Sequence, residues 1–333
     1  MSSAPPVLAL PGASPDLTTR LQRDLSRVDD LILATVDHED PLIAEASGHL
    51  VEAGGKRLRP LLCLLASELG DGASDEVVAA GAGVELIHLA SLYHDDVMDE
   101  AEVRRGVPSV NAKYDNSTAI LVGDLLFGRA SELIAGLGAE AVLIQAQTFV
   151  RLCSGQIRDD RPCPPGEDPI AYYLGVLEDK TGALISTAAR YGAMFGGCGP
   201  DVVALVTAYG QRLGMAFQLV DDLIDIASDA TETGKTPGTD LREGVDTLAV
   251  LYAKAGRDPD DARLRELLAG DLRDDARLAE TLDLLRANPA LERARETTRQ
   301  VGRDAVDLLA PLPPSEAKAA LTALVTSVVD RVG

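Results

Sequence analysis

The sequence predicts an all-α protein, a single large helical bundle with the longer and more apolar helices central. Three observations carry that reading. Apolar residues recur at steps of three and four from residue 17 onward. No window alternates with period two for long enough to read as a strand. The core must be built from Leu, Val, Ala and Ile, because aromatics are 3% of the 333 residues and Trp is absent. Ala-rich apolar segments suit close helix packing better than a sheet sandwich.

The opening, rich in Ser, Ala and Pro, reads as a flexible tail over residues 1–16, followed by one domain over 17–333. Leu17, Leu21, Leu25, Val28 and Ile32 then mark one face of the first helix. Gly70-Asp71-Gly72-Ala73-Ser74-Asp75 is a turn with a capping residue at its end. Long apolar helices are expected at 76–99, 118–137 and 139–159. Arg161-Pro162-Cys163-Pro164-Pro165-Gly166 breaks the pattern. Helices follow at 169–194 and 201–226, separated by Gly196-Gly197-Cys198-Gly199-Pro200. Residues 228–238 form a Thr/Gly/Pro loop, and charged amphipathic helices alternate with polar turns to the end.

Composition narrows function. At 46% hydrophobic and 25% charged, the chain is globular rather than disordered or fibrous. Lys and Arg number 31 against 53 Asp and Glu, a net charge of −22. Such a body is repelled by duplexes and anionic membranes, so no nucleic-acid partner is expected. An anionic substrate needs a local cluster of cations, or bound metal ions that invert the local sign. Four cysteines lack any ligand spacing, which fits a reducing cytoplasmic location. With no secretory pattern at the start and no apolar run of spanning length, no stable membrane insertion is expected.

The sharpest motif is His94-Asp95-Asp96-Val97-Met98-Asp99. Asp95 and Asp99 are four apart and share a helix face, with Asp96 beside them. Like charges at that spacing destabilise a bare helix. They also follow the apolar run Leu86 to Tyr93, so something must offset the repulsion. Carboxylates of this kind suit Mg²⁺, which takes one or two protein carboxylates plus substrate phosphates. The spacing recurs in Gln218-Leu219-Val220-Asp221-Asp222-Leu223-Ile224-Asp225, again at the end of an apolar helix. One copy is readily a solvated acidic face; two such copies are hard to explain that way. Cations lie near the acids in sequence. Gly54-Gly55-Lys56-Arg57-Leu58-Arg59-Pro60 places three behind a turn that permits close backbone approach. Arg104-Arg105-Gly106, Lys180-Thr181 and Gly234-Lys235 add more.

Together with Gly123-Asp124 and Gly155-Gln156, these motifs stand in the order found in trans-type polyprenyl diphosphate synthases, and the chain resembles that family from about Leu17 to its end. The resemblance implies the isoprenoid synthase type of all-α fold, a single large helical bundle around a central cavity, and a chain-elongating prenyltransferase. Such an enzyme condenses isopentenyl diphosphate with an allylic diphosphate. By it, Lys56, Arg59, His88 and Arg105 would hold isopentenyl diphosphate. Asp95 and Asp99 would bind two Mg²⁺ and Asp221 a third, three per active site. Asp96, Asp222 and Asp225 would support that shell. Arg104, Lys180 and Lys235 would hold the allylic diphosphate, and Thr181 and Gln218 would line the place where the allylic cation forms. Without that resemblance His88 reads as a satisfied buried histidine. A homodimer is implied as well.

Chain length should be read from the helix ending in Asp95. Going backward by turns of about 5.4 Å, the growing product meets Ser91 and Ala90, then Ile87. The first two are small, so no floor closes the tunnel early, and Leu125 or Phe127 could set one deeper. A product longer than twenty carbons is expected; a twenty-carbon geranylgeranyl diphosphate synthase is the alternative. The family often has Gly-Lys-x-Thr-Leu-Pro after the second acid motif, whereas this chain has Gly244-Val245-Asp246-Thr247-Leu248-Ala249. That departure removes one cation from the allylic side. A class I terpene cyclase usually lacks the Gly-Gly-Lys-Arg turn, a non-catalytic partner subunit would have lost motif acids, and a structural bundle would leave the motif order unexplained.

Overall fold

The computed structural model describes residues 12–227 and 237–332. Regular structure among them is helical apart from one two-stranded hairpin, as the apolar periodicity requires.

Helices begin where the sequence supplies caps. The Ser14 hydroxyl accepts from the Leu17 amide at 3.1 Å, and Pro15 takes the first position of α1, Pro15–Val36. That helix starts inside the stretch expected as a tail, because a Ser-Pro pair is itself a start signal. Asp40 and Pro41 open α2, Pro41–Glu52, in the same way. After α3, Leu58–Ser67, Ser74 caps α4, Asp75–Met98. The short α5, Val110–Lys113, precedes α6, Asn116–Ala135, whose cap is Asp115. Next come α7, Ala139–Asp159, and α8, Pro169–Leu177, capped by Asp168. After α9, Ala183–Phe195, and α10, Pro200–Ala227, shorter helices follow: α11 Thr239–Glu243, α12 Leu248–Ala255, α13 Ala262–Leu268 and α14 Asp275–Ala287. The last two are α15, Pro289–Leu308, and α16, Glu316–Val329.

The chain divides into two compact units. The first comprises residues up to Val150, Leu184–Gly210 and Leu309–Ala323. Its centre is α4, in which every side chain from Val77 to Ala90 except Ala79 and His88 is buried. A helix apolar all round is a core helix, and α4 packs on α1, α3 and α6. By length and composition α4 could cross a membrane, although no run of that length was expected. Instead, 72% of its most apolar window is buried inside the protein. Each such Leu, Ile or Val contributes roughly 1.5–3 kcal/mol when removed from water.

The second unit comprises Arg151–Ala183, Gln211–Leu308 and Leu324 to the end. Here α12 packs on α8 and α15. The polar face of α15 carries ion pairs of Arg299 with Glu292 and of Arg303 with Glu296. Exposed pairs of that kind add little stability; the buried stripe Leu291, Ala294, Thr298, Val301 and Ala305 holds the helix down.

Two local features escape the periodicity. Val103–Arg104 and Val107–Pro108 pair as an antiparallel hairpin. Arg105 and Gly106 both have positive φ, 55° and 78°, as a type I′ two-residue turn demands. Two-residue strands are too short to show alternation. The single helix expected at 169–194 is also interrupted, by a π-helical turn at Glu178–Gly182. One such turn is shorter than the window from which helical periodicity is read, so sequence does not reveal it.

The cysteines offer a direct check of the first unit. Cys63 is fully buried and its thiol is pushed up to about 12 by burial, whereas Cys153 is exposed. At pH 8 the Cys63 thiolate fraction is then about one in 10⁴. In the native protein an alkylating reagent followed by mass spectrometry will modify Cys153 and spare Cys63 until denaturant is added. Equal labelling rates would contradict this packing.

Candidate active site

The first acid motif closes α4. Asp95 is half-buried and Asp99 exposed, while Asp96 is fully buried. The hairpin answers Asp96: Arg104 donates from Nε to Asp96 Oδ1 at 2.6 Å. Arg105, in the left-handed turn position that follows the strand, departs from Arg104 and donates instead to the Leu50 carbonyl at 2.9 Å and to the Gly54 carbonyl. Asn111 ties the base of the hairpin to the Asp96 and Ala101 carbonyls, both at 3.1 Å. Burial holds the Asp96 carboxyl above its ordinary range, against the opposing pull of Arg104.

Cations of the first unit gather beside this motif. Arg59 is pulled down to about 10 by burial, with Glu85 opposing and Arg105 adding to the effect. His88 lies well below the usual histidine range because of burial and the neighbouring Arg59, Arg105, Arg104 and Arg57. It is therefore a neutral imidazole at neutral pH. Lys56 is exposed on the turn. Gly123 explains the Gly-Asp pair on α6. A Cβ there would come within 2.4 Å of His94 Nε2. That ring faces the Ile120 carbonyl at 3.2 Å and Asp124 at 3.4 Å.

Ala90 and Ile87 are buried in α4, and Ser91 is half-buried with its hydroxyl donating to the His88 carbonyl at 2.9 Å. On α6, Phe127 stacks on Phe149 of α7 with ring centroids 4.0 Å apart.

The second acid motif closes α10 in the second unit. Asp222 is buried and held from two sides: Gln218 Nε2 donates to Oδ1 at 2.9 Å, and the Tyr173 hydroxyl of α8 donates to Oδ2. Thr181 donates to Gln218 Oε1 at 3.3 Å. Thus three elements lock one carboxylate. Burial, with Asp221 and Asp159, still pushes Asp222 up to about 6, against the pull of Tyr173 and Gln218. Asp225 receives the Thr239 and Asp240 amides, both at 3.1 Å, and so anchors the start of α11. Asp240 is pushed up to about 7 by burial and then by Asp222 and Asp225. Asp221 meets Arg331 at 3.1 Å.

Lys180 sits on the π turn and donates to Asp159 at 2.6 Å. Gly155 makes that approach feasible, since a Cβ there would fall 2.5 Å from the Lys180 amide nitrogen. Lys235 lies outside the described residues. The departure at 244–249 has a mild structural consequence. Val245 is exposed, so a surface cation is what is missing. Ala249 is buried in the first turn of α12, where Pro is tolerated but not required.

The donor set suits a hard dication. It consists of carboxylate oxygens, with Asp96 Oδ2 buried and without a hydrogen-bond partner. Among the described residues no three His, Cys, Asp or Glu side chains converge as a complete metal cage. Mg²⁺ does not need one, because phosphate oxygens and water complete its octahedron. Tyr173 and Glu85 were not singled out from the sequence, and Arg57 stood there only as one of three cations behind the Gly-Gly turn. Only Glu85 had a readable sign: an ionic side chain inside an apolar run must find a partner when buried.

The polyprenyl synthetase family model matches residues 40–285. The chain is 48% identical over 312 residues to a nonaprenyl diphosphate synthase from Mycobacterium tuberculosis, covering 93% of this chain and 92% of that one. It superposes with a TM-score of 0.87 and 43% identity on a geranylgeranyl pyrophosphate synthase from Corynebacterium glutamicum complexed with calcium and isoprenyl diphosphate. That match covers 96% of this chain and 98% of the other. A decaprenyl diphosphate synthase from Rhodobacter capsulatus gives 0.85 at 36% identity, covering 96% and 99%.

Removing the Tyr173 hydroxyl tests the lock on Asp222. A buried acceptor that loses a donor costs about 1–3 kcal/mol. Tyr173→Phe should lower unfolding free energy by that amount in urea titration at pH 8, where Asp222 is ionised. An unchanged midpoint would show that the contact carries no energy.

Proposed function

Since the chain belongs to the polyprenyl synthetase family, we propose that it elongates an allylic diphosphate with isopentenyl diphosphate to an all-trans polyprenyl diphosphate of more than twenty carbons. The observation that carries this is the pair of Asp-Asp-x-x-Asp motifs, each ending an apolar helix and each with its middle acid buried and held by a fixed donor.

The acid side chains Asp95, Asp99 and Asp221 hold Mg²⁺, three ions per active site, with Asp96, Asp222 and Asp225 orienting that shell. Bound Mg²⁺ supplies charge neutralisation for a diphosphate leaving group. The protein's own part is preorganisation. Arg104 and Lys180, already fixed on Asp96 and Asp159, present cations toward the allylic diphosphate, and Lys235 joins them. Lys56, Arg59 and Arg105 hold the second diphosphate, with neutral His88 as a hydrogen-bonding neighbour. As the allylic C–O bond breaks, the Thr181 hydroxyl and Gln218 carbonyl offer dipoles that stabilise positive charge without capturing it. The isopentenyl double bond attacks the allylic carbon, a new C–C bond forms and one proton leaves. The departing diphosphate accepts that proton. No nucleophilic side chain is consumed. The enzyme acts as a homodimer in the cytoplasm.

Product length rests on Ala90 and Ser91, which present no bulk in the turn before Asp95, and on Ile87 one turn deeper. The kinship with a nonaprenyl diphosphate synthase supports a long product. The likeness to a geranylgeranyl pyrophosphate synthase favours the alternative of twenty carbons.

Asp95→Ala and Asp221→Ala should each lower turnover by at least ~10²–10³-fold, the loss typical of one preorganised stabilising group. Radiolabelled isopentenyl diphosphate reads this out, and near-wild-type turnover in either variant would remove the metal assignment. Ser91→Phe should shorten the products seen by chromatography after dephosphorylation. Unchanged products in that variant would move the length determinant away from α4.

A further inference from the structure

Glu85 is the only acid between Val77 and Ala90 of α4 and is 2% exposed. An ionised carboxylate at such a place is retained only if it is paired. Its partner is Arg57, 6% exposed, whose Nη1 donates to Glu85 Oε1 at 3.1 Å. Arg57 is committed on its other sides too. Nε donates to Asp29 of α1 at 2.8 Å and Nη2 to the Val51 carbonyl at 3.2 Å. Its backbone is left-handed, φ 48°, a conformation costly for a long side chain unless its surroundings fix it. A second guanidinium shares the same carboxylate: Arg105 Nη2 stands 3.9 Å from Glu85 Oε1. Gly55 admits it, since a Cβ there would lie 2.9 Å from the Arg105 guanidinium carbon.

The run Lys56-Arg57-Leu58-Arg59 therefore divides into two kinds of cation. Arg57 has its three faces taken by protein and cannot turn to a ligand. Lys56 is exposed, and Arg59 keeps a buried Nε with no hydrogen-bond partner. Guanidinium groups so close together repel unless an anion lies among them. The fixed anion here is Glu85.

We propose that Glu85, acting through Arg57 and Arg105, is the positioning residue of the isopentenyl diphosphate cradle: it holds both guanidiniums in place so that Lys56, Arg59 and Arg105 face the diphosphate together. The inference rests on the functional reading above and adds to it a residue that cannot touch the substrate, because a carboxylate repels a diphosphate. Glu85 instead lowers the repulsion that assembling the cradle would otherwise cost. Its removal should weaken the isopentenyl substrate alone.

The test is steady-state kinetics on the full-length protein with Mg²⁺, each substrate varied in turn, for wild type, Glu85→Gln and Asp29→Asn. Melting temperature is recorded alongside. Loss of one charge-assisted contact should raise the KM for isopentenyl diphosphate roughly tenfold in Glu85→Gln. Asp29→Asn, which loosens Arg57 from its more exposed side, should raise it about threefold. In both, kcat and the KM for the allylic diphosphate should stay within about twofold, since allylic binding uses other residues. Unchanged KM in both variants overturns the inference. So does a parallel loss of kcat and both KM values with a falling melting temperature, which marks a purely structural role. Wild-type protein that does not turn over overturns the functional reading itself, and an active wild type with unaffected variants overturns only this inference.

Discussion

A charge taken out of water must be given a partner, and this fold is arranged around that requirement. Asp96, Asp222 and Glu85 are buried carboxylates. Each is met by a fixed donor of its own unit: Arg104 on the hairpin, Gln218 on the same helix as Asp222 and Tyr173 on α8, Arg57 on a left-handed turn. Leaving a buried charge unpaired costs about 3–5 kcal/mol, more than the roughly 1–3 kcal/mol of one strained backbone position. The irregular features are therefore where the pairing constraint shows. The hairpin separates Arg104 from Arg105, sending one to an acid and the other to carbonyls and a shared carboxylate. The π turn brings Lys180 to Asp159 and Thr181 to Gln218.

The same constraint reconciles a net charge of −22 with anionic substrates. Repulsion acts through the whole surface, but it is screened beyond about 8–10 Å at physiological salt. Inside that range local arrangement decides. The first unit gathers Arg57, Arg59, Arg104 and Arg105 close enough to depress His88. The second gathers acids until Asp222 and Asp240 sit at about 6 and 7, a surplus of negative charge that a dication relieves. A cation cradle and an acid-rich cluster are the two complementary needs of a reaction that holds one diphosphate and expels another.

Much of this was legible in the sequence. The capped turn at 70–75, the break at 161–166 and the apolar stripe from Leu17 to Ile32 placed helices within a few residues. The two acid motifs were visible because their spacing is helical. Glycines at 123 and 155 were visible as motif members, although their reason, room for His94 and for the Lys180 backbone, needs coordinates. What stayed hidden was pairing across elements. Nothing in Ala171-Tyr172-Tyr173-Leu174 says which tyrosine reaches Asp222, and nothing in Gly-Gly-Lys-Arg-Leu-Arg separates Arg57, spent on Glu85 and Asp29, from Arg59. The hairpin and the π turn are shorter than the windows from which periodicity is read.

Paired acid motifs and a cation cradle together call for metal-dependent prenyl transfer. The most direct measurement is incubation of the wild-type protein with isopentenyl diphosphate and an allylic primer, with and without Mg²⁺, followed by chain-length determination. The expected result is a polyprenyl diphosphate of more than twenty carbons, formed with Mg²⁺ and absent when the ion is chelated. Full turnover in chelator, or no elongation with Mg²⁺ present, would contradict it.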